Sequence, residues 1–264
     1  MKQDHLRIVS LNLRTARYPE QHNQAIREPR IAAYIADRQP DSLGVQECTR
    51  FWQERLDLCL TGFARAQEPH ENPNGFKNFI YYNTATVRLV DSGIFWLSDT
   101  PNVASQCFGS RYFISCGWAV LERLDSGAHY IHMNTHLDYT DEEIRQKEAD
   151  ILLPRAFGFA DLSLPVLITG DFNTPPHSPT YEKMLAAGRL SDFRQKVAPP
   201  ALPFTFNKYE KEEEEPDPAG FLIIDYCFCS DRVLPQAMDI CDKFGGGYLS
   251  DHNALCFDMK IENI

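Results

Sequence analysis

Pro165-Val166-Leu167-Ile168-Thr169-Gly170-Asp171-Phe172-Asn173 reads as a short apolar strand that runs out into polar residues. A wholly apolar run of this length is expected of a strand covered on both faces. The carboxylate and amide at its end stand where α/β proteins commonly place ligands. The same arrangement recurs along the chain. Ile8-Val9-Ser10-Leu11-Asn12-Leu13 is a first strand with Asn12 near its end, and a second, through Leu43 and Val45, stops at Gln46-Glu47. His136 lies at the end of an aromatic and β-branched strand from His129 to Leu137.

Amphipathic helices lie between these strands. Ile31, Tyr34 and Ile35 mark one helical face that ends before Gln39-Pro40-Asp41. Thr49 is placed to cap a helix carrying Phe51, Trp52, Leu56 and Leu60, and Thr140-Asp141-Glu142-Glu143 has the capping-box form, opening a helix through Ile144, Ile151 and Leu152. Ser178-Pro179 starts a further helix with Tyr181, Met184 and Leu185 inward, and Gly188 marks its end. Phe79 to Tyr82, Val87 to Leu97 and Tyr112 to Leu121 read as strands, with Asp125-Ser126-Gly127 turning the last into the His129 strand. Late strands are expected over Phe221 to Cys229 and Leu255 to Ile261, after an acidic, proline-containing loop from Lys208 to Pro218. Strand–helix alternation with hairpins in the middle predicts an α/β fold with mixed sheets, residues 1–264 forming one domain.

Composition narrows the function classes. With 43% hydrophobic residues in 264, the chain can bury a sizeable core. A formal net charge of -11 argues against a broad nucleic-acid footprint, although a bound divalent cation would still admit an anionic substrate. The polar Met1-Lys2-Gln3-Asp4-His5 leads straight into a strand, with no secretory h-region and no bilayer-length apolar run, so a cytoplasmic monomer without a membrane segment is expected. The 8 cysteines lack paired CxxC spacing and read as buried thiols, not zinc ligands.

A single Asn or Asp at a strand end is more often a turn or cap residue than a ligand, and a lone histidine is more often a bonded core residue. Asp225 is harder to explain that way: within Phe221-Leu222-Ile223-Ile224-Asp225, a buried carboxylate is costly unless paired, hydrogen-bonded or on a metal. Asp251-His252 precedes the last strand. His132, Asn134 and His136 alternate and share one strand face, with His132, farther from the strand end, assigned to packing.

Taken in order, Leu11-Asn12, Gln46-Glu47, Asn134-Thr135-His136-Leu137, Gly170-Asp171-Phe172-Asn173, Ile224-Asp225-Tyr226 and Ser250-Asp251-His252 resemble the successive motifs of the endonuclease/exonuclease/phosphatase superfamily. Asp91-Ser92-Gly93-Ile94-Phe95-Trp96-Leu97-Ser98 resembles its bacterial metal-dependent hydrolase branch. The resemblance implies a DNase I-like, four-layered sandwich of two mixed β-sheets flanked by helices. It implies Glu47 as the principal ligand of Mg²⁺ (or Mn²⁺), with Asn12 and Asp251 nearby. Asp171 would orient and deprotonate the attacking water, and Asn173 would hold the phosphate or the water. His252 would bond to Asp225 while His136 faces the phosphate opposite it; whether Asp171 or the Asp225–His252 pair is the general base stays open. Asn134, Arg111 and Arg145 are candidates to meet the substrate, the two arginines being equally suited to plain solvation. The implied reaction is phosphodiester or phosphomonoester hydrolysis on a nucleic acid, nucleotide or other small phosphoester; alternatives are a phospholipid or sugar-phosphate head group, or a non-catalytic binding protein retaining the fold. Apolar residues before Ile224-Asp225, and Asn253-Ala254 after Ser250-Asp251-His252, depart from the common pattern, and the former weaken the case for nucleic-acid contact.

Overall fold

A computed structural model describes residues 3–15, 22–68, 71–209 and 223–262. Two six-stranded sheets are each built round one parallel pair. In the first, β1 (Gln3–Asn12) runs parallel to β2 (Ser42–Thr49), with α1 (Gln24–Arg38) lying between them in sequence. In the second, β7 (His129–His136) runs parallel to β8 (Val166–Asp171), with α3 (Glu142–Asp161) between them. Antiparallel strands complete both sheets. The first has the order β11 (Val233–Cys241), β14 (Ala254–Glu262), β1, β2, β4 (Phe76–Asn83), β3 (Phe63–Arg65), and among the described residues β12 (Lys243–Phe244) pairs only with β13 (Gly247–Tyr248). The second has the order β5 (Val87–Trp96), β6 (Ser115–Arg123), β7, β8, β10 (Asp225–Ser230), β9 (Leu190–Asp192).

Three apolar clusters define four layers. Val9, Leu11 and Val45 pack with Ile31 and Tyr34 of α1 and with Trp52 and Leu56 of α2 (Arg50–Cys59). Ile8, Ile80, Leu121, Tyr130, Leu167 and Phe257 fill the space between the sheets. Ile131, Met133 and Ile168 meet Leu152 of α3 and Tyr181 and Met184 of α4 (Pro179–Ala186). The order helix–sheet–sheet–helix follows, the DNase I-like sandwich. β8 shows why its run is wholly apolar: Leu167 points between the sheets, while Val166 and Ile168 point toward the helices.

Three expectations need correction. Asp141, not Thr140, caps α3: its carboxylate accepts from Glu143 N at 2.7 Å and Ile144 N at 3.2 Å, whereas Thr140 turns to Asp138. A carboxylate is favoured there because the first-turn N–H groups carry partial positive charge. The strand expected from Phe221 begins only at Asp225, so Asp225 opens it and does not interrupt it; 221–222 lie outside the described residues. β11 was not expected, because Pro235 and the register shift between Pro235 and Ala237 break its alternation, which is tolerated on a sheet edge. Of the acidic run expected as a loop, only Lys208 and Tyr209 fall within the described residues. All 8 cysteines are free thiols. Among the described residues no helix is long and apolar enough to cross a membrane.

Candidate active site

Strand register alone brings several polar side chains together. Parallel pairing sets Asn12 beside Gln46 and His136 beside Asp171, and antiparallel pairing sets Asp171 beside Asp225. Glu47 needs an additional device. The β2–β4 register slips between Val45 and Cys48, and Glu47 takes φ 54°, so the bulge turns its carboxylate out of the strand alternation. Gly170 is required for a related reason: with φ 150°, an added Cβ would lie 2.0 Å from the Thr135 carbonyl oxygen. Asn173, at φ 49°, donates its N–H to Asp171 Oδ1 at 2.9 Å and its side-chain amide to the Leu137 carbonyl at 2.9 Å. The turn after β8 is therefore tied to the turn after β7.

The Asn12 amide joins the two sheets, donating to Glu47 Oε1 at 3.3 Å and to Asp171 Oδ2 at 3.1 Å. Thr15 N–H donates to Glu47 Oε2 at 2.7 Å. His252 Nδ1 lies 3.1 Å and 3.0 Å from the two Asp225 oxygens, and its Nε2 lies 3.6 Å from Asp171 Oδ2. His136 Nε2 approaches the same Asp171 oxygen at 3.4 Å. Asp251 accepts from Ser250 Oγ at 3.1 Å and pairs with Arg14 Nε at 3.2 Å. The structure thus gathers Asn12, Glu47, His136, Asp171, Asn173, Asp225, Asp251 and His252 at one end of the sandwich.

Burial and charge act against each other here. Burial opposes the charged form of His252, but Asp225, Asp171 and Asp251 outweigh it and raise its pKa to about 10. Burial dominates at Asp171 and raises its pKa, with Asp225 adding to the rise and His136 and His252 opposing it. At Glu47 burial is the largest single influence and works upward, yet His136, the Thr15 N–H and His252 together lower its pKa.

Among the described residues, Asp171, Asp225 and His252 bring three potential ligand atoms within 4.8 Å of one another. An imidazole doubly bonded to Asp225 and held protonated has no free lone pair, so this trio suits proton handling better than metal coordination. The carboxylate oxygens of Glu47 and Asp251 are the hard donors a divalent cation takes, and the Asn12 carbonyl oxygen, which accepts from Arg14 N–H at 2.9 Å, keeps a second lone pair. Both carboxylates are buried, at 8% and 1% exposure.

A cavity of about 500 Å³ opens over this floor, walled by Phe76, Tyr112, Tyr139, Phe206 and Ile224 and bordered by Arg14 and Asp138. Of these wall residues Phe76 opens β4 and Ile224 belongs to the Ile224-Asp225-Tyr226 motif, whereas Tyr112, Tyr139 and Phe206 lie in connecting segments and were not singled out as site residues in the sequence. Three candidate substrate residues are placed elsewhere. Asn134 is fully buried between the sheets, donating to the Val45 and Phe79 carbonyls at 2.9 and 3.0 Å and accepting from Gln46 at 2.6 Å. It supports the floor from beneath and cannot reach a substrate. Arg145 is held by Glu142 at 2.8 Å and by the Asp138 carbonyl at 2.9 Å, and it does not line the cavity. Arg111 is exposed and does not line the cavity, although Tyr112 beside it does.

The sequence profile of the Endonuclease/Exonuclease/phosphatase family matches residues 10–252. The chain belongs to this family. Among solved structures, it is similar to an endonuclease/exonuclease/phosphatase family protein from Bacteroides thetaiotaomicron, at 23% identity over 100% of both chains with TM-score 0.86. It is similar to a Bacteroides thetaiotaomicron VPI-5482 mannosyl-6-phosphatase at 24% identity, covering 96% of this chain and 99% of that one, TM-score 0.85. A D. rerio TDP2 complexed with a single-strand DNA product shares 17% identity over 97% and 98% of the two chains, TM-score 0.72. At these identities the likeness is one of fold. No curated protein matches the sequence.

Proposed function

We propose that this protein hydrolyses phosphate esters with the help of a divalent metal ion. The observation that carries the reading is the Asn12 bridge, which sets the Glu47 carboxylate beside Asp171 and within one shared pocket with His136 and His252. Glu47, Asp251 and Asn12 would hold Mg²⁺ or Mn²⁺. When bound, such an ion neutralises charge on the phosphate oxygens and on the departing oxygen. Water is the nucleophile. Asp171 orients it and takes its proton, and His252, whose imidazolium form the Asp225 carboxylate supports, is left as a donor. His252 and His136 flank Asp171 at 3.6 and 3.4 Å and provide donors for phosphate oxygens that gain charge in the transition state. Asn173 keeps the Asp171 carboxylate turned toward the pocket through its backbone N–H. Hydrolysis of bis-p-nitrophenyl phosphate or p-nitrophenyl phosphate with Mg²⁺ or Mn²⁺, abolished by EDTA, tests this. No turnover of either with any divalent metal sinks it.

The cavity wall favours a small substrate over a nucleic-acid strand. A strand needs free cations along its backbone, but among the described residues Arg14 is the one Lys or Arg lining the cavity, and it is paired with Asp251. A volume of about 500 Å³ with aromatic walls, and two tyrosine hydroxyls bonded to each other at 2.7 Å, suits one compact, uncharged ring body with polar edges, such as a sugar phosphate. Relative kcat/KM for a hexose 6-phosphate, a mononucleotide, an inositol phosphate, sphingomyelin and single-stranded DNA decides it. Preference for the DNA refutes the small-substrate reading while leaving the hydrolase reading intact.

A further inference from the structure

Arg27 lies on α1, one layer behind the pocket, and is 0% exposed. A guanidinium this deeply buried normally faces a carboxylate. Arg27 is bonded instead to four backbone carbonyls. Nη1 donates to Leu13 O at 2.7 Å and Leu249 O at 3.1 Å, Nε to His22 O at 3.0 Å, and Nη2 to Arg14 O at 3.3 Å. Its guanidinium sits 5.1 Å from the Trp52 ring centroid, and the Trp52 indole N–H reaches the same Arg14 carbonyl at 3.3 Å.

The acceptors identify what is being held. Leu13 and Arg14 connect Asn12 to Thr15, whose N–H fixes Glu47, and Leu249 precedes Ser250-Asp251-His252. These two segments lie at opposite ends of the chain, and the pairing of β1 with β14 aligns only the strands from which they emerge. Beyond the strand ends, the Arg27 fork is a direct tie between the segment bearing Asn12 and the one bearing Asp251. Arg14 adds a second, more exposed tie, to Asp251.

We infer that Arg27 is a positioning residue for the metal site, its buried fork holding Leu13-Arg14 and Leu249 so that Asn12, Glu47 and Asp251 converge on one cation. This rests on the metal-dependent reading above. A lysine in its place keeps the charge but has one ammonium where a planar fork reaches four carbonyls. Groups that orient metal ligands typically change affinity about 10–100-fold when removed.

The test compares wild type, Arg27→Lys and Arg27→Gln, with Ile35→Ala as a control for lost packing on the same helix; Ile35 is buried and makes none of these ties. Mn²⁺ titration followed by the signal of the free ion should show binding weakened about 10-fold or more in both Arg27 variants and unchanged in Ile35→Ala. Amide hydrogen exchange on the metal-free proteins should quicken at Leu13–Thr15 and Leu249–His252 in the Arg27 variants while β7 and β8 stay protected. Wild-type Mn²⁺ affinity in Arg27→Lys, equal weakening in Ile35→Ala, or unchanged exchange at both segments overturns the inference. Should Arg27→Gln fail to fold, Arg27→Lys decides alone. If wild type takes up no Mn²⁺, the metal reading falls, and the exchange experiment still judges whether Arg27 holds the two segments.

Discussion

His132 offers a measurement of how dry the space between the sheets is. It is 0% exposed, with Nδ1 2.9 Å from Ser42 Oγ and Nε2 2.8 Å from Thr169 Oγ1. Burial alone lowers its pKa from 6.5 to about 3, no carboxylate lying close enough to oppose it. The unfolded chain therefore binds a proton that the folded protein refuses whenever the pH lies between those values. Stability from this residue is full above pH 6.5 and is lost as the pH falls below it. Each pH unit in that window costs about 1.4 kcal/mol, so at pH 5 the loss is about 2 kcal/mol. The perturbation is His132→Gln, which keeps a polar group between the two hydroxyls and removes the titration. Urea unfolding of both proteins at pH 7.5 and pH 5.0 provides the assay, since every other titrating group is common to the pair and cancels. The substitution should cost about 1–3 kcal/mol at pH 7.5 through lost bonds and packing, and about 2 kcal/mol less than that at pH 5. An equal cost at both pH values would falsify the argument, because it would mean that His132 reaches water or a counter-charge.

Other substitutions probe the site and its supports. Gly170→Ala forces a Cβ to within 2.0 Å of the Thr135 carbonyl, and should destabilise the protein by about 3 kcal/mol or more, read as a fall in Tm. Asp225→Asn removes the charge that supports the His252 imidazolium, so the His252 pKa in metal-free protein should drop below its value of about 10; an unchanged imidazole titration by NMR refutes that support. Burial pushes the pKa of Glu148 well above the usual carboxyl range, and its Oε1 is buried without a hydrogen-bond partner, while Oε2 accepts from Asp138 N at 2.9 Å. Because the folded protein holds this proton and the unfolded chain releases it above pH 4.5, wild-type stability falls with rising pH on its account. Glu148→Gln should thus raise Tm more at pH 8 than at pH 5, and a gain independent of pH counts against the assignment. Tyr139→Ala, at a 62% exposed wall position, should raise KM for a sugar phosphate with little change in kcat; an equal effect on both constants places Tyr139 in the chemistry instead of the binding wall.

Much was legible in one dimension because the relevant physics is local. A run such as Pro165 to Ile168 must be covered on both faces, whatever its neighbours, and Ser178 and Thr49 cap helices through bonds to their own next turn. The ordered polar residues at strand ends were legible for the same reason, each standing out against an apolar background. What sequence could not supply was the partner of each group. Asn134 and His136 share a strand face two residues apart, yet one lies sealed between the sheets and the other borders the cavity, a difference made by where β2 and β4 cross above β7. Arg145 looks like a phosphate ligand until Glu142 and the Asp138 carbonyl are seen to hold it. Arg27 carries no mark in the sequence at all, since its acceptors are backbone carbonyls, which every residue possesses. Sequence by itself thus determined most strands and helices and which polar residues stand at strand ends, because periodicity and isolated polarity are properties of neighbouring residues. Tertiary structure decided which groups face a common space and what holds them there, because those contacts join residues as distant as Leu13 and Leu249.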